Sequence, residues 1–312
     1  MSIERFSALD RKIKSTENEL NRLSNSPDKD FLFDSLNYRL SELQAEKTKL
    51  TELESREKLT IIISGEGVGE GTVSVRVLAS VLNGIQSLAD SIANALGNEP
   101  TQHGKIPQDI VNRSELKFTK CYPGSFGVEL EGTVEDCLFY TEEPLLTQTI
   151  SKLFALLSTG DDSDKITDQI AELGTRTLNN YKQWLKFISE QNININCNWS
   201  SSFAGDYTWK VYSERLPTIL NILNHIKEQT EEQLNVIGKI TGLNIRKETF
   251  EIINEDGQVI SGRSRYDMLI KNKLFMGQKA SLTLIKTTVL NVTTGKEKVS
   301  WYLKDIKPIP AP

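Results

Sequence analysis

Leu59-Thr60-Ile61-Ile62-Ile63 leads through Ser64 into Gly65-Glu66-Gly67-Val68-Gly69-Glu70-Gly71. An unbroken β-branched run of this kind suits a buried strand. The glycines after it invite a phosphate-loop reading, and their spacing answers it. A dinucleotide fingerprint needs G-x-G-x-x-G. Here Glu70 takes the third glycine position after Gly65-x-Gly67, and Thr72 takes it after Gly67-x-Gly69. A P-loop needs Gly-Lys-Ser/Thr, which is missing, and Glu66 and Glu70 would repel phosphate. A flexible or bulged connection is expected instead.

Downstream, Val77, Leu78, Val81, Leu82, Ile85, Leu88, Ile92 and Leu96 recur at helical spacing. Thr72 or Ser74 suits the N-cap, Gly97 the C-terminal end, and Pro100 follows. Two alternating segments, 115–121 and 125–130, flank Tyr122-Pro123-Gly124-Ser125, whose Pro and Gly suit a type II turn. Together these predict a small α+β core over residues 59–130. Further helices are expected over 144–157 and 166–189, with a half-buried strand at Ile193–Trp199. A helix kinked at Pro217 is expected from Tyr207 to about Glu228.

Before this core, Phe6, Leu9, Ile13, Thr16, Leu20 and Leu23 are spaced 3-4-3-4-3. So are Phe33, Leu36, Leu40, Leu43, Lys47 and Leu50. These are heptad a and d positions. Ser26-Pro27-Asp28 between them suits the start of a second helix. Residues 1–57 therefore read as an antiparallel coiled-coil hairpin. Two helices bury little area alone, so the apolar positions Phe6, Leu9, Ile13, Leu20, Leu36, Leu40 and Leu43 are candidates for an oligomer or partner interface.

After a central α+β domain at 58–230, residues 231–312 carry three short strands, a short helix at about 265–274 and two longer strands. Asp256-Gly257 and Thr294-Gly295 supply turns. This order resembles a five-stranded barrel of the OB type. The resemblance implies single-stranded nucleic acid as a ligand, held by aromatics and a basic groove. Candidate contacts are Arg246, Lys247, Arg263, Arg265, Lys271 and Lys273, with Phe250, Tyr266, Phe275, Trp301 and Tyr302 as aromatics.

Charge follows the same division. Residues 1–58 carry 11 basic and 12 acidic side chains, 59–230 carry 13 and 21, and 231–312 carry 13 and 9. A basic end on an acidic body points to an anionic partner or to contact between subunits. Three cysteines, Cys121, Cys137 and Cys197, are too few for a disulfide framework, so a reducing cytoplasmic setting is expected. No apolar run is long enough to span a membrane. His103 and His225, the two histidines, lie far apart, and no HExxH or CxxC occurs. No cofactor is called for. Acidic pairs such as Glu129 with Glu131, which share a strand face, could serve a hydrolase, but alone they read as ordinary solvent-facing carboxylates.

The expectation is a non-catalytic assembly or adaptor protein. It would oligomerise or dock a protein partner through its arm, in the manner of accessory proteins of bacterial multi-gene systems, phage defence among them. Single-stranded nucleic-acid binding through the barrel is the alternative.

Overall fold

The computed structural model describes residues 2–23, 30–54, 56–97, 104–122, 125–134, 143–201, 203–245, 248–265, 268–269 and 275–309. The chain divides into two compact units, Met1–Arg56 with Thr133–Tyr140, and Glu57–Gly132 with Thr141–Pro312. In the first unit, α1 (Ser2–Leu23) and α2 (Asp30–Glu54) pack on one another. Leu9, Ile13, Thr16 and Leu20 are buried, and Leu36, Leu40, Leu43 and Lys47 are half-buried. Among the described side chains of both helices, only Ala8 joins them in being less than exposed. Among the described side chains the 3-4 positions are thus the less exposed ones, apart from Phe33, which is exposed.

The second unit opens with β1 (Arg56–Gly65). The glycine run behind it folds into a small antiparallel hairpin of β2 (Val68–Gly69) and β3 (Thr72–Val73). Gly65 has φ 122°, and a Cβ there would lie 2.5 Å from the Asn192 carbonyl oxygen. The glycine is required by a close backbone approach rather than by a ligand.

There follow α3 (Val75–Gly97), α4 (Gln108–Arg113), β4 (Lys117–Tyr122), β5 (Phe126–Thr133), α5 (Leu145–Leu157), α6 (Ser163–Glu190), β6 (Ile193–Ser201) and β7 (Gly205–Val211). Ser74 Oγ accepts from Val77 N (3.1 Å) at the start of α3, and Asp162 Oδ1 accepts from Asp164 N and Lys165 N at the start of α6. The five-stranded sheet runs β4-β5-β1-β6-β7, with β1 and β6 antiparallel and Ile61 opposite Cys197. Strand alternation puts Leu59, Ile61, Ile63, Ile193, Ile195, Cys197 and Trp199 on one buried face. Burial pushes the Cys197 thiol up to about 12, so it stays protonated.

α3 and α6 pack together, and Gly84 lets them approach. A Cβ at Gly84 would lie 1.9 Å from Trp184 Cδ1. α6 breaks at Gly174 (φ 82°, ψ 169°), a conformation essentially confined to glycine.

One expectation is corrected. No helix spans 207–228. Tyr207, Trp209 and Val211 alternate, and β7 pairs antiparallel with β6 from Ile195 opposite Val211 to Ser201 opposite Gly205. A 3-10 turn (Ser213–Arg215) and a short helix α7 (Leu216–Asn224) follow. Pro217 sits in the first turn of α7, where its missing N–H leaves no partner unsatisfied, so it starts a helix instead of kinking one.

From Ile226 the chain is already β8 (Ile226–Asn244), longer than the strand expected at 236–243. With β9 (Thr249–Asn254), β10 (Val259–Ser264), β11 (Lys279–Asn291) and β12 (Glu297–Pro308) it closes a five-stranded barrel in the order β10-β12-β11-β8-β9. Every pairing is antiparallel except β10 with β12. A Cβ at Gly262 would lie 2.2 Å from the Trp301 carbonyl oxygen, so the bare glycine permits this closure. The barrel is filled by Ile240, Phe250, Ile252, Ile260, Leu269, Ala280, Leu282, Leu284, Leu303 and Ile306. The chain is thus a mixed α+β protein with seven α-helices among the described residues. Of the helix expected at 265–274, Met268 and Leu269 are helical, and 266–267 and 270–274 lie outside the described residues, as do Pro123 and Gly124.

Candidate functional site

The arm presents apolar side chains that its own packing does not cover. On α2, Leu32, Phe33 and Tyr38 are 54 %, 37 % and 67 % exposed. Leu36, Leu40 and Leu43 beside them are only half-buried, whereas Leu9, Ile13 and Leu20 of α1 are buried. Phe6 lies in α1, and its side chain is outside the described residues. The apolar seam of α2 is therefore the less complete of the two.

The barrel cations are placed differently from the sequence expectation. Arg246, Lys247, Lys271 and Lys273 lie outside the described residues. Arg265 is exposed. Arg263 is turned to α6, with Nη1 3.7 Å from Glu172 Oε1. Glu172 also pairs with Lys152 of α5 at 2.7 Å. Lys296 lies 3.7 Å from Asp164 and 3.5 Å from Asp168, and Lys298 lies 3.5 Å from Asp168. Asp164, Asp168 and Glu172 are four residues apart, so they line one side of α6. Beside this seam, buried Asn291 donates from Nδ2 to Ser163 Oγ (2.6 Å) and Thr167 Oγ1 (3.1 Å). Its Oδ1 accepts from Thr293 N and Thr294 N. Part of the basic C-terminal charge is thus answered inside the chain. The i, i+4, i+8 carboxylates were the sequence signal for this.

The aromatics divide as well. Phe250 and Trp301 belong to the barrel core, Tyr302 is buried, and Phe275 is exposed. Tyr266 is outside the described residues. The outward positions of β9 and β10 carry Glu251, Ile253, Val259 and Ser261. This face holds one acidic group and two branched apolar ones, its one cation is Arg263, already turned to Glu172, and it carries no aromatic ring. Glu251 Oε1 accepts from Thr241 Oγ1 at 2.9 Å.

The carboxylates are engaged with neighbours. Glu129 accepts from the Tyr122 hydroxyl and lies 3.3 Å from Lys120 Nζ. The Tyr122 hydrogen bond, with Lys120 behind it, holds the Glu129 carboxyl below its ordinary range against the opposing effect of burial. A second carboxylate, Glu57, was not legible as special. It is 1 % exposed and accepts from Trp199 Nε1 (2.6 Å), Ser201 Oγ (2.9 Å) and the Thr147 hydroxyl. Burial, and after it the Glu57 charge, pushes the Glu143 carboxyl up. Trp199 in turn stacks on Tyr207, with ring centroids 5.0 Å apart.

His225 ends α7, with Nδ1 2.7 Å from the Asn221 carbonyl oxygen, and His103 is outside the described residues. Among the described residues, no group of three or more His, Cys, Asp or Glu side chains is arranged to hold a metal ion, and no helix is long and apolar enough to cross a membrane. The chain matches no family model, no curated protein and no solved structure.

Proposed function

We propose that this chain is a non-catalytic assembly or adaptor protein whose N-terminal arm, an antiparallel coiled-coil hairpin, joins it to another protein or to further copies of itself. The observation that carries this reading is the incompletely covered seam of α2, where Leu32 and Phe33 are exposed beside half-buried Leu36, Leu40 and Leu43. Contiguous exposed apolar groups of this kind mark contact surfaces.

The barrel strand order and its single parallel pairing, β10 with β12, support the OB reading. They are what favours nucleic-acid binding as the second reading. Against it stand the engagement of Arg263, Lys296 and Lys298 with α6 and the character of the β9–β10 outer face. A barrel used for protein contact or for rigidity fits those surfaces better.

Light scattering on the full chain, with and without a single-stranded oligonucleotide, separates the two. The assembly reading expects a multimeric mass, or a partner-bound one, that the oligonucleotide leaves unchanged. A mass increase on adding oligonucleotide that fades with salt would favour the barrel reading.

A further inference from the structure

A barrel of the OB type holds its polymer across the face of its second and third strands and against the loops that join strands one to two and four to five. In this barrel those strands are β9 and β10, and the fourth-to-fifth loop joins β11 to β12. Arg263 is the cation of the β9–β10 outer face, Lys296 ends that loop, and Lys298 follows it in β12. All three meet carboxylates of α6. Arg263 meets Glu172, Lys296 meets Asp164 and Asp168, and Lys298 meets Asp168. These carboxylates recur every four residues, about 6 Å apart along the helix axis. A row of evenly spaced anions is also what a nucleic-acid backbone offers.

We propose that the acidic stripe of α6 is an autoinhibitory contact, which meets the barrel cations in the manner of a phosphodiester backbone and so suppresses binding of single-stranded nucleic acid there. The lysines are neutralised rather than enclosed, since the side chains of Lys296 and Lys298 remain 33 % and 49 % exposed. A phosphate can therefore approach them, but it must displace a carboxylate already in place, and the net attraction is small. Like charges four residues apart oppose the helix, and the barrel cations relieve them, so giving up the lysines costs α6 as well. α6 is fastened to the barrel independently of these charges, through the hydrogen bonds of Asn291 to Ser163 and Thr167. Neutralising the stripe thus frees the cations without undocking the helix.

The contact rests on the nucleic-acid reading of the barrel, and the test keeps the two apart. The full-length wild type is compared with the variant Asp164→Asn, Asp168→Asn by fluorescence anisotropy of a labelled single-stranded oligonucleotide across a salt series, with circular dichroism as the check on folding. The variant is expected to bind about tenfold tighter at low salt. Its log affinity should also fall more steeply with log salt, by about 0.7 for each of the two lysines released. Asp168→Asn alone, which removes the Asp168 partner of Lys298, should show about half that steepening. The pair Glu66→Gln, Glu70→Gln, at exposed positions before β2 and in the β2–β3 turn, removes as much charge as the asparagine pair and should leave binding at the wild-type level. Adding Lys296→Ala and Lys298→Ala to the asparagine variant should return it to that level. Wild-type affinity in the asparagine variant, an equal gain in the glutamine pair, or a gain that survives loss of both lysines overturns the autoinhibitory contact and leaves the barrel reading standing. Binding by neither the wild type nor the asparagine variant at any salt removes both.

Discussion

Glu57 shows how much of the sheet depends on one side chain. Its carboxylate is taken out of water with no cation beside it among its hydrogen-bond partners, and three neutral donors replace the lost hydration. Glu57→Ala leaves an indole N–H and two hydroxyls without their acceptor. The variant should lose about 3 kcal/mol of unfolding free energy in urea. Glu57→Gln keeps the shape and one acceptor oxygen and should lose less. Equal and small losses for both would remove the role assigned to this carboxylate.

The neighbouring carboxyls titrate in opposite directions. Glu143 is raised by burial and by the charge of Glu57. A raised carboxyl binds its proton more tightly when folded, so its ionised form opposes folding. Glu143→Gln should therefore raise the melting temperature at neutral pH and leave it unchanged well below the ordinary carboxyl range. Glu129 is lowered, chiefly by the Tyr122 hydroxyl. Its contribution is present above the ordinary carboxyl pKa and is lost as pH falls through the lower folded value. Tyr122→Phe should flatten that part of the acid-denaturation profile, which a pH titration of stability would read directly.

Two contacts between elements are open to the same kind of test. Gly84→Ala would drive a methyl group into Trp184 at the crossing of α3 and α6. Overpacking of this kind costs about 1–3 kcal/mol, and near-ultraviolet circular dichroism should report the displaced indole. Asn291→Ala removes two donated and two accepted hydrogen bonds where the barrel meets α6. Amide exchange should then speed up in the turn between β11 and β12 and in the first half of α6 together. Exchange that changes in only one of them would mean that the asparagine does not tie the two.

These contacts also show where sequence reading stops. β1 is announced by its unbroken β-branched run, and α3, the β4–β5 hairpin, α5, α6 and β6 each by a local period. β7 is not, since Tyr207-Thr208-Trp209-Lys210-Val211 runs without a break into the helical spacing of Leu216, Ile219 and Leu223. A short edge strand beside a short helix leaves neither period enough length to stand out. The acidic stripe of α6 is visible, but its barrel partners lie 91 to 132 residues away. Glu57 was silent for the same reason. Its donors come from α5 and β6, and no spacing along the chain links them.

At the scale of the molecule, the acidic middle and basic end of the sequence invite an external anion, yet several of those cations face α6. Surface pairs of this kind are worth about 0.2–1 kcal/mol each and are screened by salt. Lys298→Glu should lower the melting temperature at low salt, by an amount that shrinks in molar salt. An equal loss at both ionic strengths would mean that Lys298 acts through packing.

The central claim is that this protein works by assembling through its arm. Its most direct test is the native mass of the full chain across a concentration series, beside the triple variant Leu32→Glu, Phe33→Glu, Tyr38→Glu. The account predicts a wild type that rises above one chain mass with concentration and a triple variant that stays at one chain mass with unchanged circular dichroism. A multimer that survives the three substitutions, or a wild type at one chain mass that also captures no protein partner through the arm, would contradict it.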